Sequence, residues 1–159
     1  MWNYVDLQQR EFQNKYSYVL QNGSKRVLGK GAFGTVYLAT SQKDNSQVAI
    51  KIPSGIVKMK MAKKAIDDSQ LEIGLWKKLS AFPYILSLLD HFVIKHNEFP
   101  VLVTVTPYIE HGTLHNYLFD VHTKGVPNHE AWLISKQLMM AGKLLLLLFG
   151  FSADFFRRR

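Results

Sequence analysis

Leu28-Gly29-Lys30-Gly31-Ala32-Phe33-Gly34-Thr35-Val36-Tyr37 is the stretch whose reading decides the fold. Its G-x-G-x-x-G spacing is weak evidence alone, so the residues around it carry the argument. A dinucleotide-binding fingerprint opens a helix after its third glycine and offers an acid about 20 residues further on. Here Thr35-Val36-Tyr37-Leu38 continues as β-branched and aromatic strand sequence, and Lys51 stands at that distance. The stretch therefore reads as a strand–glycine–strand flap. Glycines let such a backbone lie close over phosphate oxygens with its N–H groups turned inward. A plain hairpin with a glycine bulge is the alternative these residues leave open.

Downstream, Val48-Ala49-Ile50-Lys51 reads as a strand, with Ala49 and Lys51 on one side and Val48 and Ile50 on the other. Small Ala49 beside a cation makes a ligand face: a flat surface for a base, then a charge for phosphates. An exposed edge lysine is the alternative. From about Lys58 to Ser80 the period becomes helical. At about 100° per residue, Met61, Ala65, Leu71, Leu75, Trp76 and Leu79 fall on one broad face. Glu72 sits inside that face, where a carboxylate is costly unless it finds a cation. Lys51 is the cation this layout offers; a solvated Glu72 at the edge of the stripe is the other possibility.

The rest of the chain supplies the order. Residues 18–51 are strand-like, with Ser41-Gln42-Lys43-Asp44-Asn45-Ser46 as a polar turn. After Pro83 come strand candidates over 85–93 and 101–106, the second ended by Pro107, which cannot donate to a ladder. Thr113 reads as the N-cap of a short helix carrying Leu114, Tyr117 and Leu118. A last helix begins near Asn128 or Glu130 and carries Trp132, Leu133, Leu138 and Met139.

With these residues assembled, the sequence over 18–140 resembles the first part of a eukaryotic protein kinase domain. The combination carries the likeness: the 29–36 loop, Val48-Ala49-Ile50-Lys51, Glu72 with Leu75 and Leu79, and 101–118 as fifth strand and hinge. The resemblance implies an α+β fold: a kinase-like N-lobe of five antiparallel strands plus a C-helix, followed by an incomplete helical C-lobe stub. It divides the chain into an extension (1–17), the N-lobe (18–106), hinge and first C-lobe helices (107–140) and a divergent tail (141–159). It implies ATP as the ligand, gripped by Leu28, Gly29, Gly31, Gly34, Val36, Ala49 and Lys51, with Thr106 as gatekeeper and Pro107 and Ile109 on the hinge. Lys51 would hold the α- and β-phosphates and Glu72 would be its C-helix partner. Trp76 and Leu88 match the spine that ties this helix to the sheet.

Beyond residue 140 the likeness fails. The family needs His-Arg-Asp, a following Asn, and Asp-Phe-Gly. The last asparagine here is Asn128, and Asp154 is the only aspartate after Asp120. Leu148-Phe149-Gly150-Phe151-Ser152 and Asp154-Phe155-Phe156 echo the last motif without completing it; an unrelated tail is the favoured reading. Mg²⁺, which the family uses, therefore has no convincing carboxylate ligand, and no metal site is assigned. The expectation is the ATP-binding part of a protein kinase, Ser/Thr by what is commonest in the family. The alternative is a catalytically inactive, pseudokinase-like fragment that binds nucleotide or a partner.

Composition narrows the other classes. The 159 residues carry a net charge of +8, concentrated in Lys58, Lys60, Lys63 and Lys64 and in Arg157, Arg158 and Arg159. No nucleic-acid motif accompanies that charge, so no nucleic-acid partner is expected. There are no cysteines, which excludes disulfides and thiolate metal sites. The apolar run 144–151 is far short of the roughly 20 residues that span a bilayer, and residues 1–18 contain no signal-peptide core. A soluble cytoplasmic protein without membrane contact is expected. His111 and His115 share i, i+4 spacing, but Gly112 between them and the lack of a general-base Glu argue against a metal pair.

Overall fold

The computed structural model describes residues 1–56, 58–121 and 125–148. They fall into two units, 1–81 with 86–108 and 82–85 with 109 onward.

The first unit is a curled antiparallel sheet with a helix against each face. Its strands are β1 (Tyr16–Tyr18), β4 (Val27–Gly31), β5 (Gly34–Ser41), β6 (Gln47–Ile52), β7 (Asp90–His96) and β8 (Phe99–Pro107), with a separate hairpin of β2 (Leu20–Gln21) and β3 (Ser24–Lys25). The order is β1-β5-β6-β8-β7, and β4 also pairs with β5. Five strand positions result, because β1 and β4 are one edge strand interrupted by the hairpin. Val19 N–H donates to Leu38 O at 3.0 Å, Leu38 N–H to Arg26 O at 2.9 Å, and Arg26 N–H to Val19 O at 2.8 Å. The ladder thus resumes across Leu38 while residues 20–25 fold outward. Asn22 (φ 53°) and Gly23 (φ 76°) turn that hairpin, both left-handed as a two-residue turn of this kind requires.

Alternation along the strands divides the core. Val48, Ile50 and Ile52 point to the outer face with Ala39, Phe92, Ile94, Val101, Val103 and Val105, all buried. They are covered by Phe12 from helix α1 (Trp2–Lys15). On the other face, Val93 and Leu102 pack with Ile73 from helix α2 (Met59–Leu79), and Val5 of α1 joins them. Helix α1 therefore runs along edge strand β7 and reaches the apolar groups of both faces. Lys15 fixes its end through Glu11 (2.7 Å) and Asp90 (3.2 Å). Gln9 Oε1 accepts the Lys95 N–H at 3.0 Å, which satisfies a donor on the edge strand.

Helix α1 occupies most of the segment read from sequence as an extension. The last two strands also differ from their expected bounds. Residues 86–88 are spent holding α2, so β7 starts at Asp90. The β7–β8 connection is a two-residue turn at Asn97 (φ 46°) and Glu98 (φ 67°). The buried residues of α2 are Ala62, Ile73 and Leu79; of the face expected, Leu79 is buried and Ala65, Leu75 and Trp76 are half-buried, but Met61 is exposed and Leu71 is 81% exposed.

In the second unit Thr113 caps α3 (Leu114–Asn116) by a capping box with Asn116, as its sequence position predicts. A π-turn, Tyr117–Val121, follows. Helix α4 spans Asn128–Leu148, so the 140/141 boundary drawn from sequence falls within a continuous helix. The Tyr117 hydroxyl donates to Glu130 on α4. Both partial echoes of Asp-Phe-Gly extend into or lie in 149–159, outside the described residues. Among the described residues no helix is long and apolar enough to cross a membrane.

Candidate nucleotide-binding site

The register of the sheet brings most of the candidate residues to one face. Val36 pairs with Lys51 and Lys51 with Thr104; Leu38 pairs with Ala49 and Ala49 with Thr106. Directly paired residues point the same way and alternate residues share a side. Val36, Ala49, Lys51 and Thr106 therefore form one surface on the α2 side of the sheet. Gly29 lies opposite Val36 at its margin, and Leu28 is half-buried in the same strand. Thr106 is buried, and Pro107 closes β8. Ile109 belongs to the second unit, where it is exposed.

The glycine loop is a tight turn, with Gly31 paired to Gly34 around Ala32 and Phe33. Its third glycine is sterically obligatory. Gly34 has φ 137°, and a Cβ there would collide with Ile52 O and stand 2.9 Å from Pro53 Cα. Gly29 and Gly31 meet no such obstruction, so their lack of side chains leaves open space on the loop. Ser54 Oγ donates to Ala32 O at 3.3 Å, tying the loop tip to the end of β6.

Beneath the tip lies a cavity of about 220 Å³ whose walls include Phe33, Lys51, Ser69, Glu72, Trp76 and Thr104. Lys51 and Glu72 thus meet in one cavity, but no ion pair within 4.0 Å joins them. The helix carrying Glu72 is fixed at one end. Trp76 Nε1 donates to Leu86 O at 2.6 Å, and Leu88 N–H donates to Ser80 Oγ at 2.8 Å. At the other end the N-cap residue Lys58 makes no side-chain cap. The C-terminal turn is therefore anchored to the segment before β7.

Phe33, Ser69, Ile73, Leu102 and Thr104 line this cavity and were not singled out from sequence. Thr104 was within reach of sequence reasoning, because it stands two residues before Thr106 and so shares its face. His91 pairs with Thr104 in the neighbouring strand. Burial pushes its imidazole pKa down, Lys77 adds to that shift, and Asp90 opposes it.

The described residues include no group of three or more His, Asp or Glu able to hold a metal ion.

The protein kinase domain model matches residues 23–145. This chain belongs to the protein kinase domain family. Over 65 residues it is 38% identical to the serine/threonine-protein kinase ATG1 of Debaryomyces hansenii, a match covering 40% of this chain and 7% of that protein. A crystal structure of Rad53 1-466 in complex with AMP-PNP shares the fold, with a TM-score of 0.64 at 23% identity. That likeness covers 91% of this chain and 34% of the other. The chain therefore spans a small part of the length of either protein.

Proposed function

We propose that this chain is the nucleotide-gripping part of a Ser/Thr protein kinase, with ATP against the surface of Val36, Ala49, Lys51 and Thr106. The observation that carries this is the forced glycine at position 34 beside a single-faced row that ends in a cation. A loop that admits no side chain there can bring its N–H groups close to phosphate oxygens. Lys51 Nζ would meet the α- and β-phosphates, Val36 and Ala49 would flank the base, and the Pro107 carbonyl would accept from its amino group. ATP would supply the γ-phosphoryl group for a protein hydroxyl.

Closing Lys51 onto Glu72 would fix the lysine at the phosphates. A second reading, nucleotide or partner binding without turnover, is favoured by the open Lys51–Glu72 pair.

The test is nucleotide titration of the wild-type chain and Lys51→Met. Loss of at least about tenfold in affinity, about 1.4 kcal/mol, with unchanged thermal unfolding supports the site. Equal affinity in a folded variant sinks it. Transfer of labelled phosphate with Mg²⁺ present then separates the two readings.

A further inference from the structure

The outer face of the sheet, turned away from the proposed nucleotide surface, carries a second cavity. It is about 330 Å³ and lies between α1 and the ends of β1, β6 and β7. Phe12, Tyr16, Tyr18, Ile52 and Ile94 give it apolar walls, and Lys25 and His96 stand at its margin. A cavity of about 130 Å³ adjoins it; the two share Ile52 and His96, and the smaller is lined by Thr35, Tyr37, Ser54 and Asn97. Together they form a bipartite recess, apolar at one end and polar at the other.

Its charge is one-sided. Lys95 is paired with Glu98 at 3.2 Å, and Lys15 with Glu11 and Asp90. Lys25 has no carboxylate within 4.0 Å among the described residues. Its stem is exposed on the β2–β3 hairpin, but its ammonium rests 3.8 Å from the Tyr18 ring centroid and 5.7 Å from that of Tyr37. Those rings are the partner it finds. The Tyr18 hydroxyl is buried, with no hydrogen-bond partner among the described residues. Burial lowers the pKa values of Lys25 and His96, and the Lys25 charge lowers that of His96 further, so the imidazole is held toward its neutral form beside the lysine.

We propose that this recess docks an acidic peptide segment of a partner protein. An apolar side chain enters between Phe12 and Ile94, and an adjacent carboxylate takes Lys25 from the Tyr18 ring. The adjoining polar cavity receives the following backbone, which favours an extended peptide over a compact small molecule. Charge complementarity selects the occupant: a cation without a counter-ion, over an apolar floor, matches an acid next to an aromatic or aliphatic residue. The hairpin that interrupts the edge strand has a role in this arrangement, since it carries Lys25 out over the recess.

The experiment is fluorescence anisotropy of a labelled Gly-Asp-Phe-Asp-Gly peptide added to the whole chain. Parallel peptides replace both Asp by Asn, or Phe by Ala. The acidic peptide is expected to bind saturably, with each replacement weakening it by at least about tenfold. Lys25→Met is expected to weaken it comparably and to leave nucleotide affinity and thermal unfolding unchanged, because Lys25 lies on an exposed hairpin. Lys51→Met is expected to leave peptide binding unchanged. The proposal is overturned if acidic and neutral peptides bind alike, if Lys25→Met binds as wild type does, or if no peptide binds saturably. Because the peptide and the nucleotide are read separately, failure here is distinct from failure of the nucleotide site.

Discussion

Val5 on α1 and Ile73 on α2 are buried in one apolar cluster, at 1% and 5% exposure, and Ile73 directly follows Glu72. The N-terminal helix therefore shares a core with the helix that must position the candidate partner of Lys51. Its second anchor, Phe12, packs on the opposite sheet face, edge-on to Phe92 at a centroid separation of 5.5 Å. A helix joined to both cores is part of the lobe, not an appendage to it.

Truncating these anchors should therefore cost stability. Val5→Ala is expected to destabilise the chain by about 1–3 kcal/mol, and Phe12→Ala by about 3–5 kcal/mol, through lost apolar burial and the cavities left behind. Urea titration measures both as lower midpoints at unchanged slope. A Phe12→Ala midpoint equal to wild type would mean α1 is not docked in solution.

The glycines of the loop should separate by position. Gly34→Ala forces a side chain into backbone at φ 137°, against Ile52 O and Pro53 Cα. A loss of about 1–3 kcal/mol is expected. Gly31→Ala meets open space and should leave stability within about 0.5 kcal/mol. Thermal unfolding of the two variants, with nucleotide titration of each, distinguishes a glycine needed by the fold from one needed by the ligand.

How far the sequence revealed this architecture depended on how local each signal was. The Gly34 turn, the Ala49–Lys51 alternation, the Thr113 cap and the bounds of α2 rest on short-range chemistry, and the structure has them at those positions. The buried stripe of α2 differs in part from the face read off the sequence, because Met61 and Leu71 are apolar yet exposed, while Ala62 and Ile73 are buried. Helix α1 was hidden because its buried positions, Val5 and Phe12, lie among the exposed apolar residues Trp2, Tyr4 and Leu7. The β2–β3 hairpin is signalled by Asn22-Gly23, which lies within the stretch read from sequence only as strand-like. The sequence offered Lys51 as the partner of a Glu72 set within the apolar face of its helix; in the structure the two line one cavity, and Glu72 is exposed. Whether they touch depends on how α2 lies against the sheet, which no local pattern encodes.

Since no ion pair holds it, the Glu72 carboxylate should be dispensable for stability. Glu72 is exposed, and Glu72→Gln is expected to change unfolding by less than about 0.5 kcal/mol. A larger loss by thermal unfolding would show that the pair is closed in solution. Saturating nucleotide should then reveal a difference between wild type and Glu72→Gln in affinity, because ligand is what would draw the pair together.

The Tyr18 phenol gives a pH signature of the outer face. Burial first, and then Tyr37, raise its pKa from the ordinary 10.0 to about 12. Folding thus favours the protonated form. The contribution is fully present below pH 10 and is lost as pH rises through about 12. Tyr18→Phe should abolish that part of the alkaline loss. At neutral pH the same substitution removes a buried hydroxyl that has no partner among the described residues, and should leave stability unchanged or raise it by about 1 kcal/mol. Thermal unfolding of wild type and Tyr18→Phe at pH 8 and pH 11 reads both effects. If the variant is less stable than wild type at pH 8, the hydroxyl has a partner in solution, and if the two decline equally at pH 11, the phenol is not buried.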